Sequence, residues 1–231
     1  MTADLLVGLA LIALPIAFNI VFADLARTFD YPDILRRDPG EILDRFRAGG
    51  TALVLRWWAF MLVAIAFIPI GAAAPYRIAP GTTAAIVTVA LAVAAGLVQA
   101  IGLVRWPFLV PELARRHGDP AATPAERATV ELVFVSSHRL LGVAIGEHLG
   151  YLLTGLWTVA LSTTILSATN EFVADLMAVP GVLIGLALVV GSLEFVGPNE
   201  PRGWTVAGRL IPIAYVAWSI WLIALGIMFV I

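Results

Sequence analysis

Six segments of this chain are long, apolar and nearly free of charge: about residues 4–24, 52–74, 82–104, 140–166, 176–197 and 206–230. Each is close to the ~20 residues that an α-helix needs to cross the hydrocarbon core of a bilayer. Inside that core no water can meet a bare amide or carbonyl, so a spanning segment must satisfy its own backbone. The 231 residues therefore read as an all-α polytopic membrane helix bundle, with about six transmembrane helices in a single integral membrane domain, 1–231. Composition enters only to close off the alternative. Of the residues, 61% are hydrophobic and 13% charged, against roughly 45–50% and about 25% in soluble domains. A soluble globule of this length has no interior that could hide so much apolar surface. Soluble enzymes, nucleic-acid-binding modules and disordered regulators are excluded.

Arginine sets the expected orientation. All 14 basic residues are Arg. Arg27, Arg36, Arg37, Arg45 and Arg47 fall in the first connection, and Arg105, Arg115, Arg116, Arg127 and Arg139 in the third. Arg202 lies in the fifth, with Arg209 just beyond it. The second connection holds only Arg77, and the fourth holds none. Under the positive-inside rule the odd connections are cytoplasmic, so both termini are expected outside, in a bacterial cytoplasmic membrane. The opening Met1-Thr2-Ala3-Asp4 lacks the basic segment of a secretory signal, so the first span is expected to be retained.

Two connections carry helix-start signals. Asp38-Pro39-Gly40-Glu41 offers an N-cap, a proline at the first helical position and an acidic residue that can reach back. The helix it starts, about 39–48, ends at Gly49-Gly50, which suits a left-handed cap. Thr123-Pro124-Ala125-Glu126 repeats the device and predicts a second helix over about 124–138. Both are expected to be short, amphipathic and laid on the cytoplasmic membrane surface. Trp57, Trp58, Trp106 and Trp204, beside the Arg-rich connections, are expected in an interfacial aromatic belt.

Ionisable and amide side chains inside apolar spans are costly and mark functional sites by default. Glu147 and His148 sit in the fourth segment, with Tyr151 and Thr154 on the Glu147 face at i+4 and i+7. Gln99 and Arg105 lie at the end of the third segment, and Glu194 near the end of the fifth. Alternating chain direction brings these residues, with Asn19 and Asp24, to the cytoplasmic half. A polar pocket lined by Glu147, His148, Tyr151, Gln99, Arg105 and Glu194 is the expectation. Each has a plainer reading: a self-satisfied Glu–Arg pair, a packing histidine, side chains snorkelling to the interface.

Known chemistries find little purchase. The chain has no Cys, and its three histidines, His117, His138 and His148, do not form His-Glu-x-x-His. No metal site and no cofactor are expected. Gly-x-Ser-x-Gly and phosphate-loop patterns are missing too.

Three stretches resemble a known family: Phe29-Asp30-Tyr31-Pro32-Asp33-Ile34-Leu35 continuing to Ala48-Gly49-Gly50, Gln99 to Pro111 (QAIGLVRWPFLVP), and Gly142 to Tyr151 (GVAIGEHLGY). Together with the order of the spans they are similar to the bacterial membrane family named domain of unknown function 4386. The resemblance implies a multi-span inner-membrane protein and carries no catalytic residue with it.

The leading expectation is a protein that binds or passes a small amphipathic or lipid-like molecule. Its rival is an assembly or regulatory protein, a homo-oligomer among the options, that contacts a partner through cytoplasmic residues such as Phe46 or Phe134. The third reading, less favoured, is an intramembrane enzyme with Glu147 as general base.

Overall fold

Helix α1 runs from Ala3 to Phe29, with the Thr2 hydroxyl accepting from the Leu5 amide at 3.3 Å as its N-cap. In this computed structural model, which describes residues 2–168, 172–200 and 202–231, every regular element among the described residues is helical. Asp30, left-handed at φ 59°, stops α1. A short 3-10 turn, Asp33–Arg36, then leads to Asp38, whose carboxylate accepts from the Gly40 amide at 2.9 Å and starts α2, Pro39–Ile78. Glu41 does not reach back to that cap. It pairs instead with Arg37 at 2.6 Å.

The break expected at Gly49-Gly50 is present, and Gly50 makes it. With φ 56° and ψ −153°, Gly50 leaves the helical region and divides α2 into a short leading helix and a long apolar one. That backbone is open to glycine and strained for any residue with a Cβ.

The chain continues as α3, Thr83–Phe108, α4, Val110–His117, and α5, Pro124–Ser137. The Thr123–Glu126 capping box forms in both directions. The second amphipathic helix is not a separate surface element, however. It runs on through a π-helical stretch, His138–Leu149, into α6, Gly150–Ala168, because no glycine in a left-handed conformation and no proline interrupts it. Helix α4 is the additional short helix, and His117 ends it. His117 is buried between Glu131 (2.8 Å) and Asp44 (3.4 Å), and so ties α4 to α5 and to the leading part of α2.

Helices α7, Phe172–Gly191, and α8, Thr205–Val230, complete the bundle. Among the described residues five helical rods are long and apolar enough to cross a membrane: Ala3–Phe29, Pro39–Ile78, Thr83–His117, Pro124–Ala168 and Thr205–Val230. Helix α7 supplies the sixth apolar helix. The segment expected over 176–197 leaves the helix at Gly191 and turns, with the Glu194 amide donating to Gly191 O at 3.1 Å.

Contacts run α1 to α2, α2 to α3, α3 to the π stretch and α6, α6 to α7, α7 to α8, and α8 back to α1. The helices thus form a closed ring. Where α1 meets α8, a Cβ on Gly8 would lie 2.6 Å from Gly226 O. Such backbone-on-backbone approach is how small residues hold membrane helices together.

Two apolar clusters fill the ring. One contains Leu11, Phe67, Trp157, Leu161, Trp218 and Leu222. Its indoles bond across helices: Trp157 Nε1 donates to Gly71 O at 3.1 Å and Trp218 Nε1 to Thr158 Oγ1 at 3.0 Å. The other gathers Phe29, Ile34, Phe46, Trp57, Trp106, Val110 and Phe134. There Trp57 stacks on Trp106 at 4.3 Å with 9° between planes. These two tryptophans are therefore core residues and not an interfacial belt, since the leading part of α2 and helix α4 fold over them. Trp58 is the exposed member of the pair. Phe46 and Phe134, buried in the same cluster, are closed to any partner.

Candidate functional site

Between the two clusters lies a cavity of about 260 Å³. Its apolar wall comes from Phe18 and Phe22 of α1 and from Phe60, Val63 and Phe67 of α2. Phe18 packs on Phe60 at 5.3 Å and on Tyr215 at 5.8 Å. The polar wall comes from Gln99 and Arg105 of α3, Glu147 of the π stretch, Tyr151 and Thr154 of α6, Tyr215 of α8, and Tyr31 from the connection after α1.

Local geometry explains why these groups meet. The π stretch packs on α3 through Gly146 and Gly102: a Cβ on Gly102 would fall 2.5 Å from Gly146 Cα. That approach brings the two polar helix faces together. π-Helical segments recur at functional sites in membrane and soluble helices alike. Gln99 Nε2 donates to Thr154 Oγ1 at 2.9 Å and links α3 to α6.

Arg105 was counted with the connections, but α3 continues to Phe108 and holds it inside the bundle, 5% exposed. Its guanidinium donates to Gly102 O through Nη1 and faces His138 Nδ1 through Nη2 at 3.2 Å. A guanidinium has only donors, so Nδ1 accepts and the His138 proton sits on Nε2. Among the described residues Nε has no partner, and the guanidinium carbon lies 5.1 Å from the Trp106 ring centroid.

Glu147, Tyr151, Gln99 and Arg105 are thus brought to one cavity. Among the described residues no direct hydrogen bond reaches the Glu147 carboxylate. His148 and Glu194 part company with the other four. His148 Nδ1 donates to Ser192 O at 2.7 Å and pins the π stretch to the chain leaving α7. Glu194 tucks against the start of α8, where a Cβ on Gly208 would lie 2.7 Å from its Oε1. Burial pushes the Glu194 carboxyl above the usual range, with Arg36 pulling the other way. With Glu147 and Tyr151 these two residues line a separate recess of about 10 Å³, room for roughly one water.

Tyr31, Tyr215 and His138 were missed. A usable signal was present for the apolar wall: Phe18 and Phe22 are four apart and Phe60 and Phe67 seven apart, each pair on one helix face. Burial holds the Tyr31 hydroxyl protonated well above its ordinary range, with Glu147 adding to the effect. At one side the cavity reaches the outer surface between α1 and α8, where Asn19, Pro212 and Val216 are exposed. Asn19 spans that seam, donating to Ser219 Oγ at 3.0 Å.

A ring of apolar helices with a polar-and-aromatic cavity at its centre defines a multi-pass α-helical membrane protein. The chain belongs to the family described as Domain of unknown function (DUF4386), whose model matches residues 6–226. No curated protein and no solved structure matches it.

Proposed function

We propose that this is a bacterial inner-membrane protein, termini outside, whose cavity binds or passes a small amphipathic or lipid-like molecule from the cytoplasmic half of the bilayer. The observation that carries this reading is the cavity's two-sided lining. Phenylalanines and Val63 form one wall, while Glu147 and the hydroxyls of Tyr31 and Tyr151 form the other, with no hydrogen-bond partner among the described residues. Buried polar groups are normally satisfied by protein, water or ligand. An apolar wall beside convergent polar groups is the usual make-up of a small-molecule site. The opening between α1 and α8 is flanked by Ile20 and Val216, both exposed on the outer face, which suits entry from the acyl-chain region.

The test is purification from native membranes into detergent, followed by mass spectrometry of co-purifying amphiphiles. Val63→Trp fills the cavity from the apolar wall. The wild type is expected to retain one or a few amphiphiles that Val63→Trp excludes. Identical retained species in both proteins, with Val63→Trp still folded, would refute the reading.

A further inference from the structure

Arg105 is a fixed cation whose hydrogen-bond partners among the described residues are all neutral. Arginine stays protonated under any ordinary condition. A charge removed from water is stabilised by a counter-charge or a full set of hydrogen bonds, and is otherwise very costly. Arg105 is 5% exposed, yet its described contacts are a carbonyl, a neutral imidazole nitrogen and the face of Trp106. Of five guanidinium donors, these contacts use one on Nη1 and one on Nη2. No carboxylate among the described residues forms an ion pair with it.

The surroundings are shaped to this side chain. A Cβ on Gly142 would lie 2.6 Å from Nη2 and 2.9 Å from Cζ, so the guanidinium rests directly on the Gly142 backbone. Gly102, whose carbonyl accepts from Nη1, is itself fixed by the approach to Gly146. The cation is held from two sides and borders the cavity.

We propose that Arg105 is the anion-binding residue of this cavity and that the ligand is an amphiphile with an acidic headgroup, carboxylate or phosphate. Its apolar chain lies among Phe18, Phe60, Val63 and Phe67 and leaves through the gap between α1 and α8. The assignment rests on the reading of the cavity as a ligand site and adds the chemistry of the ligand's head. Planar two-donor recognition of carboxylate and phosphate is what a guanidinium does best. Glu147 lines the same cavity and in its ionised form repels an anion, so Arg105 and Glu147 have opposite expected effects.

The experiment uses the full chain in phosphatidylcholine nanodiscs with three probes: radiolabelled oleate, oleyl alcohol as a neutral match in chain length, and inorganic phosphate. Wild type is expected to bind oleate at least about tenfold more tightly than oleyl alcohol, a difference of about 1.4 kcal/mol. Arg105→Gln abolishes the preference and Arg105→Lys keeps part of it. Glu147→Gln tightens oleate binding a few-fold. Gly142→Ala, which displaces the guanidinium without removing it, weakens oleate and leaves oleyl alcohol unchanged, so the outcome does not hang on the folding of Arg105→Gln. Inorganic phosphate is expected not to displace oleate.

Equal binding of oleate and oleyl alcohol, both lost in Val63→Trp, would overturn the headgroup assignment and leave the cavity reading standing. Binding of neither lipid would overturn both. Tight binding of inorganic phosphate that displaces oleate would assign Arg105 to a free anion and remove the acyl chain from the proposal.

Discussion

The contact between Gly102 and Gly146 makes an asymmetric prediction. On Gly102, a methyl group would meet Gly146 Cα at 2.5 Å, Leu141 O at 2.9 Å and Gly146 N at 3.0 Å, all of them backbone atoms. On Gly146, the nearest atoms would be Gly102 Cα at 3.1 Å and Leu141 O at 3.2 Å. Carbon atoms rest at about 3.5–4.0 Å. Gly146→Ala therefore asks for a few tenths of an ångström, whereas Gly102→Ala asks α3 and the π stretch to separate by about 1 Å. Overpacking of that kind costs about 1–3 kcal/mol, partly offset by the ~1 kcal/mol that Ala gains over Gly within a helix. The expected net is a loss of up to about 2 kcal/mol for Gly102→Ala and, with only a small clash set against the same gain, no loss for Gly146→Ala. Unfolding titrations in mixed micelles, fitted at a common slope, measure both. Equal effects, or a larger loss for Gly146→Ala, would refute the close backbone packing that seats Arg105 and Glu147 on one cavity.

Two further outcomes follow from the connections. Thr123→Ala should cost about 1 kcal/mol by removing the N-cap of α5, read in the same titration. The Thr123 amide and hydroxyl hold the Glu126 carboxyl below its ordinary value of 4.5, so its contribution is present above that value and fades as pH falls through the lowered one. The stability gap between wild type and Glu126→Gln should accordingly close on acidification. For orientation, reporter fusions at Gly81 should read as periplasmic and those near Gly40, Gly118 and Asn199 as cytoplasmic. Reversal of two of them would separate the cavity from the cytoplasmic half.

The spans were legible because a bilayer leaves an apolar chain a single solution, and the caps because Asp38, Thr123 and Gly50 act through their immediate neighbours. Gathering Gln99, Arg105, Glu147 and Tyr151 was also within reach, since chain direction alone brings helix ends of like kind together. What escaped depends on packing between distant segments. Nothing near Trp57 or Trp106 announces that the leading part of α2 and helix α4 will fold over them. The π stretch at 138–149 hides in residues that an ordinary helix would accept equally well. His148 and Glu194 looked like site residues because ionisable groups stand out in an apolar text. Their partners, Ser192 O and the first turn of α8, lie on other elements and could not be read beside them.

The seam between α1 and α8 joins helices some two hundred residues apart in the chain. Asn19 bonds to Ser219 across it, and Gly8 packs on Gly226. During synthesis the α1 half of that seam must wait for some two hundred residues, with Asn19 bonded meanwhile only to Pro15 O of its own helix. The wall of the cavity that Tyr215 supplies is likewise absent until α8 arrives. A chain interrupted before α8 therefore presents an open trough, the Glu147 side of its cavity uncovered and the Asn19–Ser219 bond unmade, the kind of incomplete surface by which membrane quality-control proteases can tell an unfinished protein from a finished one.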